Sequence, residues 1–475
     1  MGFNRRDVLK VLSYSAAGLA AGLSSRKAAA NHCDVIERDV CVLGGGSSGT
    51  FTAVALRDAG KSVVVVERKD RLGGHCETYT DPATGTPVDY GVVVFHNLPV
   101  VTSYFARLGV PLIQLPPGSL GGGVTKYFDY RTGKQVAGYT PPSQADVGQA
   151  LGFYFGYLQQ LKATYYDLDS GFDLPTPVPP DLLMPFRDFV TKYSLQPLVN
   201  TVFNFGQGMG NLLAMPTVYV LKNFSAQVVG SIFSGSFMAV PTGNSRLYEA
   251  AAALLGDDVL FNASAINVNR HNNGVSVLVE TPHGPREIRA KKLVVTCPPT
   301  LNNLQTFDLD QLEMRTFARF KSNSYWTSLV TLSGFPAGIA VANIGANTLY
   351  NLPPLPGLYA VGATRVPGLY DIKAGAFTRV DDLEIKAKMI ADIHRLSDPV
   401  LFPTPAKITS VATFSGHNPF ELHVGADEIA GGFYSTLESL QGRNHTFYNG
   451  AAFHTHDSSL LWQFTNDHVL PKILA

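Results

Sequence analysis

The sequence predicts an α/β protein in which a Rossmann-type dinucleotide-binding domain, discontinuous along the chain, is joined to a substrate domain of mixed sheet and helical cap. Three observations lead there. An apolar run at 40–43 meets three consecutive glycines, a segment with Ala, Val and Leu at helical spacing follows, and a second apolar run at 63–66 ends on Glu67; the order is strand, tight turn, helix, strand. Between residues 98 and 234 aromatic residues recur at helical spacing among Pro and Gly clusters. From 235 onward strand-length apolar segments return, and the chain ends on a turn and a helix.

The first element carries a specific chemistry. In the G-x-G-x-x-G of Gly44, Gly46 and Gly49, the first glycine permits the tight turn, the second lets backbone approach a pyrophosphate, and the third lets the helix close on the sheet. The free amides of residues 44–49, Ser48 among them, are placed to hold anionic phosphates. Glu67, at the tip of the second strand, is placed to bind a ribose. Arg71, Gly73, Gly74 and His75 follow as R-L-G-G-H. This E-x-x-x-R-x-G-G continuation resembles the extended fingerprint of the FAD enzymes related to flavin amine oxidases. The resemblance implies that FAD is the dinucleotide.

Composition narrows the class. A chain of 475 residues accommodates two joined domains or one large one. With 45% apolar residues, 16% charged, 20 Tyr and 28 Phe, the protein is aromatic-rich and globular rather than disordered or fibrous. Lys+Arg and Asp+Glu balance at 37 each, and no basic run occurs beyond the N-terminus, so nucleic acid is not an expected partner. Four cysteines exclude a disulfide scaffold. Cys41 and Cys297 sit in apolar runs and are expected to be buried thiols, whereas Cys33 and Cys76 are free or paired.

Residues 1–30 read as a signal peptide. Arg5, Arg6 and Lys10 form a basic region, 11–23 an apolar stretch too short to span a bilayer, and Ala28, Ala29 and Ala30 a small-residue cleavage site. The mature protein is expected to begin near Asn31 and to be secreted or lumenal, the alternative being an uncleaved amphipathic N-terminus. R-R-D-V-L-K resembles a twin-arginine signal, and sequons at Asn223, Asn262 and Asn444 fit a eukaryotic secretory route equally well. No other segment reads as a membrane span.

The dinucleotide-binding domain is expected from residues 31–100, 235–310 and 426–475, and the substrate domain from 101–234 and 311–425. After the fingerprint, 81–97 reads as a turn and a short strand carrying Asp89, Gly91, Phe95 and His96. Helices are expected over 146–169 (Leu151, Phe155, Leu158, Leu161), around Phe186, Phe189, Val190 and Tyr193, over 196–209 and after Pro216, together forming a cap with an aromatic-lined cavity; most of these aromatics are core. An Ala-rich helix at 248–255 precedes a β-meander and a final strand ending at Cys297. Strands at 325–332, 339–350 and 357–363 and a charged helix at 381–395 complete the substrate domain.

From Glu37 onward the chain resembles the flavin amine oxidase superfamily. V-C-V-L-G-G-G-S-S-G-T, R-L-G-G-H, P-V-D-Y-G-V-V-V-F-H-N and the terminal G-A-A-F-H-T-H-D-S-S-L-L-W are similar to its β-cyclopiazonate dehydrogenase branch, itself similar to polyunsaturated fatty acid isomerases. The resemblance implies an amine oxidase-like fold, flavin against Gly91 and Val93, adenine at the backbone of Ala265, and Phe453 and Ser458 in a loop and helix start closing over the flavin. It places His96 near the reacting end, the alternative being a hydrogen-bonded structural histidine, and gives His454 and His456 the task of stabilising the negative charge of reduced flavin, the alternative being surface-loop histidines; His96 and His454 are the expected catalytic residues.

The chain departs from the amine oxidases in lacking the ribityl-gripping Gly-Asp or Gly-Glu, a nearby Cys for covalent attachment, and an active-site lysine after Tyr325. Lys321 lies upstream. The expected activity is therefore non-covalent FAD-dependent oxidation of an apolar secondary metabolite, by desaturation or oxidative cyclisation, with molecular oxygen reoxidising the cofactor. The alternatives are a redox-neutral isomerase of polyunsaturated fatty acids and a non-catalytic binding protein.

Overall fold

The computed structural model describes residues 34–116, 124–164 and 167–475; the expected signal at 1–30, Cys33 and the glycines at 121–123 lie outside the described residues. A seven-stranded sheet runs in the order Val259–Leu260, Val63–Val66, Asp34–Leu43, Gly284–Val295, Gly274–Thr281, Ser264–His271, with Thr446–Tyr448 also paired to Gly284–Val295. Its centre is parallel, Asp34–Leu43 lying between Val63–Val66 and Gly284–Val295. All four valines of Val63–Val66 are buried, as a parallel strand covered on both faces requires. The helix Ser47–Asp58 makes the crossover and buries Phe51, Ala53, Val54 and Leu56.

A second seven-stranded sheet has the order Lys407–His417, Ser324–Ser333, Leu369–Ala376, Gly357–Ala363, Ile339–Asn343, Val124–Asp129, Lys134–Gln135. The helix Asp382–Arg395, capped by Asp381, buries Ile385, Met389 and Ile393 against it. The helices Gln144–Thr164, Phe186–Lys192, Val199–Phe205, Thr217–Asn223 and Ala226–Ser234 form the cap. Their buried faces share one continuous core with the first sheet: Tyr154, Phe189 and Val202 belong to the same cluster as Val42 and Val65.

Two expectations are corrected. The single strand expected to carry Asp89 through His96 is split into Pro87–Asp89, paired with Thr78–Thr80, and Phe95–His96, paired with Phe237–Ala239. The break follows from the commitments between them: the Asp89 carboxylate accepts the Asn244 amide at 2.9 Å, and a Cβ on Gly91 would lie 1.9 Å from the His75 carbonyl oxygen. Strands also occur at Leu369–Ala376 and Lys407–His417, where none was expected. The latter is an edge strand in which Thr and Ser interrupt the apolar residues, so no apolar alternation marks it.

Cys41 and Cys76 are buried and free, and Cys297 is half-buried and free. Among the described residues no helix is long and apolar enough to cross a membrane.

The meander is fixed to the rest of the chain by Arg270, whose guanidinium pairs with Glu313 at 2.5 Å and Asp308 at 2.7 Å; the Arg270 side chain is 1% exposed and that of Glu313 0%. Breaking such a pair strands a charge away from water. Glu313→Ala is expected to lower stability by about 3–5 kcal/mol, read as a fall in the chemical unfolding midpoint, whereas Arg289→Ala, in an exposed pair, shifts it by less than about 1 kcal/mol.

Candidate functional site

The glycine turn is shaped by contacts that no side chain could tolerate. Gly44 adopts φ +106°, and a Cβ there would lie 2.7 Å from Thr296 Oγ1; a Cβ on Gly49 would lie 1.9 Å from the Gly44 carbonyl oxygen. A Cβ on Gly46, by contrast, would meet only the Gly74 Cα, at 3.9 Å, so that position faces open space. Gly46 is also the N-cap of Ser47–Asp58, and no side chain caps the helix. Its first-turn amides therefore stay open to an anion.

Glu67 closes the turn from the neighbouring strand, accepting the amides of Gly45 and Lys69, each at 2.7 Å. Ala265 sits at a bulge of the Ser264–His271 strand, next to the chain that donates the Ala263 amide to the Glu67 carbonyl at 2.9 Å.

The Arg71–His75 turn is held by a residue the sequence did not single out. Glu77, 5% exposed, pairs with both Lys69 and Arg71, and Arg71 also donates to the Leu72 and Cys76 carbonyls, each at 3.2 Å. Gly73 packs against the Tyr248 ring and Gly74 against Gly46. Gly450, at the far end of the chain, lies beside Thr296 and Ser48, and Trp462 donates to the Ser47 carbonyl at 3.2 Å. The structure thus brings together Gly44, Gly46, Ser48, Gly49, Glu67, Gly73, Gly74, His75 and Gly91 with the C-terminal segment. Val93 is partly exposed, Phe453 is buried and stacks on Tyr448, and Ser458 opens the helix Ser458–Phe464.

Four consecutive side chains of that segment fasten it to the rest of the molecule. The His454 Nδ1 shares a hydrogen bond with Lys222 Nζ at 2.9 Å. Thr455 donates to the Asn223 side-chain carbonyl at 3.1 Å. His456 pairs with Glu421 at 3.1 Å and stacks on Phe420. Asp457 caps the terminal helix through the Leu460 amide at 3.0 Å and pairs with His96 Nε2 at 3.1 Å. His96 Nδ1 meets the Ser231 hydroxyl at 2.8 Å, and its backbone amide donates to Ser459 Oγ at 2.9 Å.

Burial alone would lower the His96 pKa, but the Asp457 charge outweighs it and holds it above the ordinary histidine value. Burial works in the opposite sense on Asp457, and His96 with the backbone donors keeps it below the usual carboxylate range.

These contacts bear differently on His96 and His454. Both ring nitrogens of His96 are engaged, and His454 spends Nδ1 on Lys222 while its ring stacks on Phe464 at 5.0 Å. His96 thus joins elements through both nitrogens, while His454 keeps Nε2 without a partner. Lys321 is exposed, in a short strand paired with Leu422–His423.

Two of the fastening partners left a sequence signal that went unread. Lys222 is a lone cation in the apolar helix Thr217–Asn223, and Asp457 precedes Ser-Ser-Leu in an N-cap pattern.

Beyond Gly74 the cradle opens onto rings. His75 stacks on His417 at 3.8 Å, and Tyr325, Phe420 and Tyr359 continue the wall. His75 keeps exposed surface while His417 beside it is buried, so the wall borders open space, a chamber next to the cradle. Burial, and then the His417 and His456 charges, hold it well below its ordinary pKa; burial, Lys69, His456 and Arg71 push His417 down to about 3. Both imidazoles are neutral near pH 7. A groove of about 730 Å³ between Phe51, Val100 and Leu474 lies apart from this chamber and is lined by none of the cradle glycines. No cluster of potential metal ligands occurs among the described residues.

The open face at Gly46, the uncapped helix amides and the buried, unpartnered Ser47 hydroxyl fit a dinucleotide pyrophosphate. Gly49→Ala forces a methyl onto the Gly44 carbonyl and is expected to yield protein that no longer retains FAD. Gly152→Ala, on the helix Gln144–Thr164 with nothing within 4 Å of the added Cβ, is expected to purify yellow; flavin absorbance per protein after gel filtration reads the difference.

Comparison with known proteins agrees with the cradle. Residues 47–408 match the family described as flavin containing amine oxidoreductase. The chain is 38% identical to FAD-dependent oxidoreductase oblC of Cochliobolus heterostrophus over 99% of each chain. It is 35% identical to beta-cyclopiazonate dehydrogenase of Aspergillus oryzae over 98% of each. Among solved structures, a fatty acid isomerase of P. acnes that produces CLA superposes with a TM-score of 0.71 at 20% identity, covering 91% of this chain and 98% of the other. A double mutant of putrescine oxidase gives 0.63 at 17% identity, covering 93% and 99%. The chain belongs to the flavin containing amine oxidoreductase family and is an FAD-dependent oxidoreductase.

Proposed function

We propose that the protein oxidises an apolar small molecule of secondary metabolism at a C–H bond next to a double bond or heteroatom, giving a desaturated or cyclised product, with O2 reduced to hydrogen peroxide. The observation that carries this reading is the chamber wall, where Tyr325, Tyr359 and Phe420 stand with the uncharged rings of His75 and His417 next to the cradle. Relatives of similar length named FAD-dependent oxidoreductase and beta-cyclopiazonate dehydrogenase support it.

When bound, FAD supplies the two-electron oxidation. The chain's own residues do the rest: Glu67 and the Ser47–Asp58 amides fix the cofactor's position, the aromatic wall excludes water and orients an apolar face, and the fastened C-terminal segment closes the site. A reaction whose cation is quenched by loss of a proton or by ring closure needs little acid–base machinery. A cationic amine would have to stand among neutral imidazoles with Lys69 and Arg71 nearby, which disfavours amine oxidation.

Anaerobic mixing of the yellow protein with allylic or prenylated aromatic candidates is expected to bleach the visible absorbance, and air to restore it with one peroxide per product. Persistent absorbance with every candidate would overturn the reading. Turnover without oxygen uptake, with a shifted double bond, would assign the redox-neutral isomerisation of a polyunsaturated fatty acid instead.

Passage through a secretory route is proposed on the same footing. Asn262 and Asn444 lie on exposed turns, whereas the Asn223 side chain donates to the Tyr219 carbonyl at 3.0 Å and accepts from Thr455. Secreted protein is therefore expected to carry glycan at Asn262 and Asn444 and none at Asn223, which peptide mapping after deglycosylation in 18O water reads directly.

A further inference from the structure

Lys222 is 1% exposed and spends all three ammonium hydrogens, on the Leu168 and Gly171 carbonyls at 2.7 Å each and on His454 Nδ1 at 2.9 Å. Its Nζ also stands 4.4 Å from the centre of the Phe172 ring. Neither a substrate nor a cofactor can reach it.

An imidazole that accepts at Nδ1 carries its proton on Nε2, and His454 Nε2 is buried without a partner. An unpartnered buried N–H is costly, more so than an unpartnered lone pair. The pair has a second arrangement in which every strong donor stays satisfied. A neutral Lys222 amine keeps two hydrogens for the two carbonyls and turns its lone pair to His454, which then carries its proton on Nδ1 and leaves Nε2 as a bare acceptor.

We propose that Lys222 is a positioning residue that sets the tautomer of His454, and that the two side chains form a proton pair fastening the cap to the C-terminal segment in two states. In passing from one to the other, the proton on the Nζ–Nδ1 axis moves from Lys222 to His454 and the Nε2 proton is released to solvent. One proton leaves and no hydrogen bond between the two residues is lost.

The charged and titratable groups around the pair come from every side. Asp167 and Asp169 on the adjoining turn and Glu421 favour the ammonium, and His468 on the terminal helix disfavours charge on His454. Lys162 and His96 act on Asp169. Burial outweighs the three carboxylates and pushes Lys222 down to about 7. The ammonium form with Nε2–H therefore prevails below that pH, and the amine form with Nδ1–H above it. The adjacent Thr455–Asn223 bond keeps the two segments in register in both states.

The test is a pH titration of the full, FAD-loaded chain labelled with 15N-histidine, using 15N–1H correlations that separate Nδ1–H from Nε2–H; the signal lost in His454→Gln identifies the residue. His454 is expected to pass from Nε2–H to Nδ1–H with a midpoint near pH 7, the ratio changing tenfold per pH unit. Lys222→Arg, which does not lose its charge, is expected to hold Nε2–H from pH 5.5 to 8.5, and Lys222→Met to abolish the transition. A single tautomer across that range in the wild type, an imidazolium at its acid end, or an unchanged transition in Lys222→Arg would each overturn the proposal. If Lys222→Met does not fold, the wild-type titration and Lys222→Arg decide it.

Discussion

The structure depends on one strap of four residues, His454 to Asp457, each side chain of which is fastened to a different partner. Lys222 and Asn223 bind it from the cap, Glu421 from the loop after the second sheet, and His96 from the strand that follows the Gly91 turn. Lys222 meets His454 and Asp457 meets His96 at hydrogen-bond distance, a hydrogen bond to a charged group contributing on the order of 1.5–3 kcal/mol, while His456 stands 3.1 Å from Glu421. The strap runs directly into the helix whose Trp462 reaches back to Ser47, so the cofactor cradle, the cap and the chamber wall are set relative to one another by a single short segment.

The cradle was legible in the sequence and the strap was not, for a physical reason. Gly44, Gly46, Gly49 and Glu67 act through local backbone geometry, and their spacing is dictated by one turn and one crossover. His96 and Asp457 are 361 positions apart, as subtraction of their numbers shows, and nothing in the spacing of either residue encodes that meeting. His96 and His454 stand out in the sequence through the motifs that hold them, whereas their partners are set by the tertiary fold. With both its nitrogens occupied, His96 transmits position.

The second sheet was half legible for a related reason. Ser324–Ser333 and Gly357–Ala363 announce themselves with apolar and aromatic runs, whereas Leu369–Ala376 mixes Asp371 and Lys373 with small residues. Those two side chains pair with each other at 3.3 Å, which accommodates charge within a strand flanked on both edges. Local composition argues for a loop there, and the neighbouring strands override it.

The shared core limits how the chamber can open. Tyr154 and Phe189 of the cap lie in one apolar cluster with Val42 and Val65 of the first sheet, so lifting the cap as a rigid lid would expose part of that core as well as break the Lys222 and His96 contacts. Exposing a single large aromatic side chain costs on the order of 1.5–3 kcal/mol, and several would move together. Rigid-body opening on each turnover is therefore the expensive route. Local rearrangement of side chains, by contrast, leaves both the core and the strap intact and is the cheaper route.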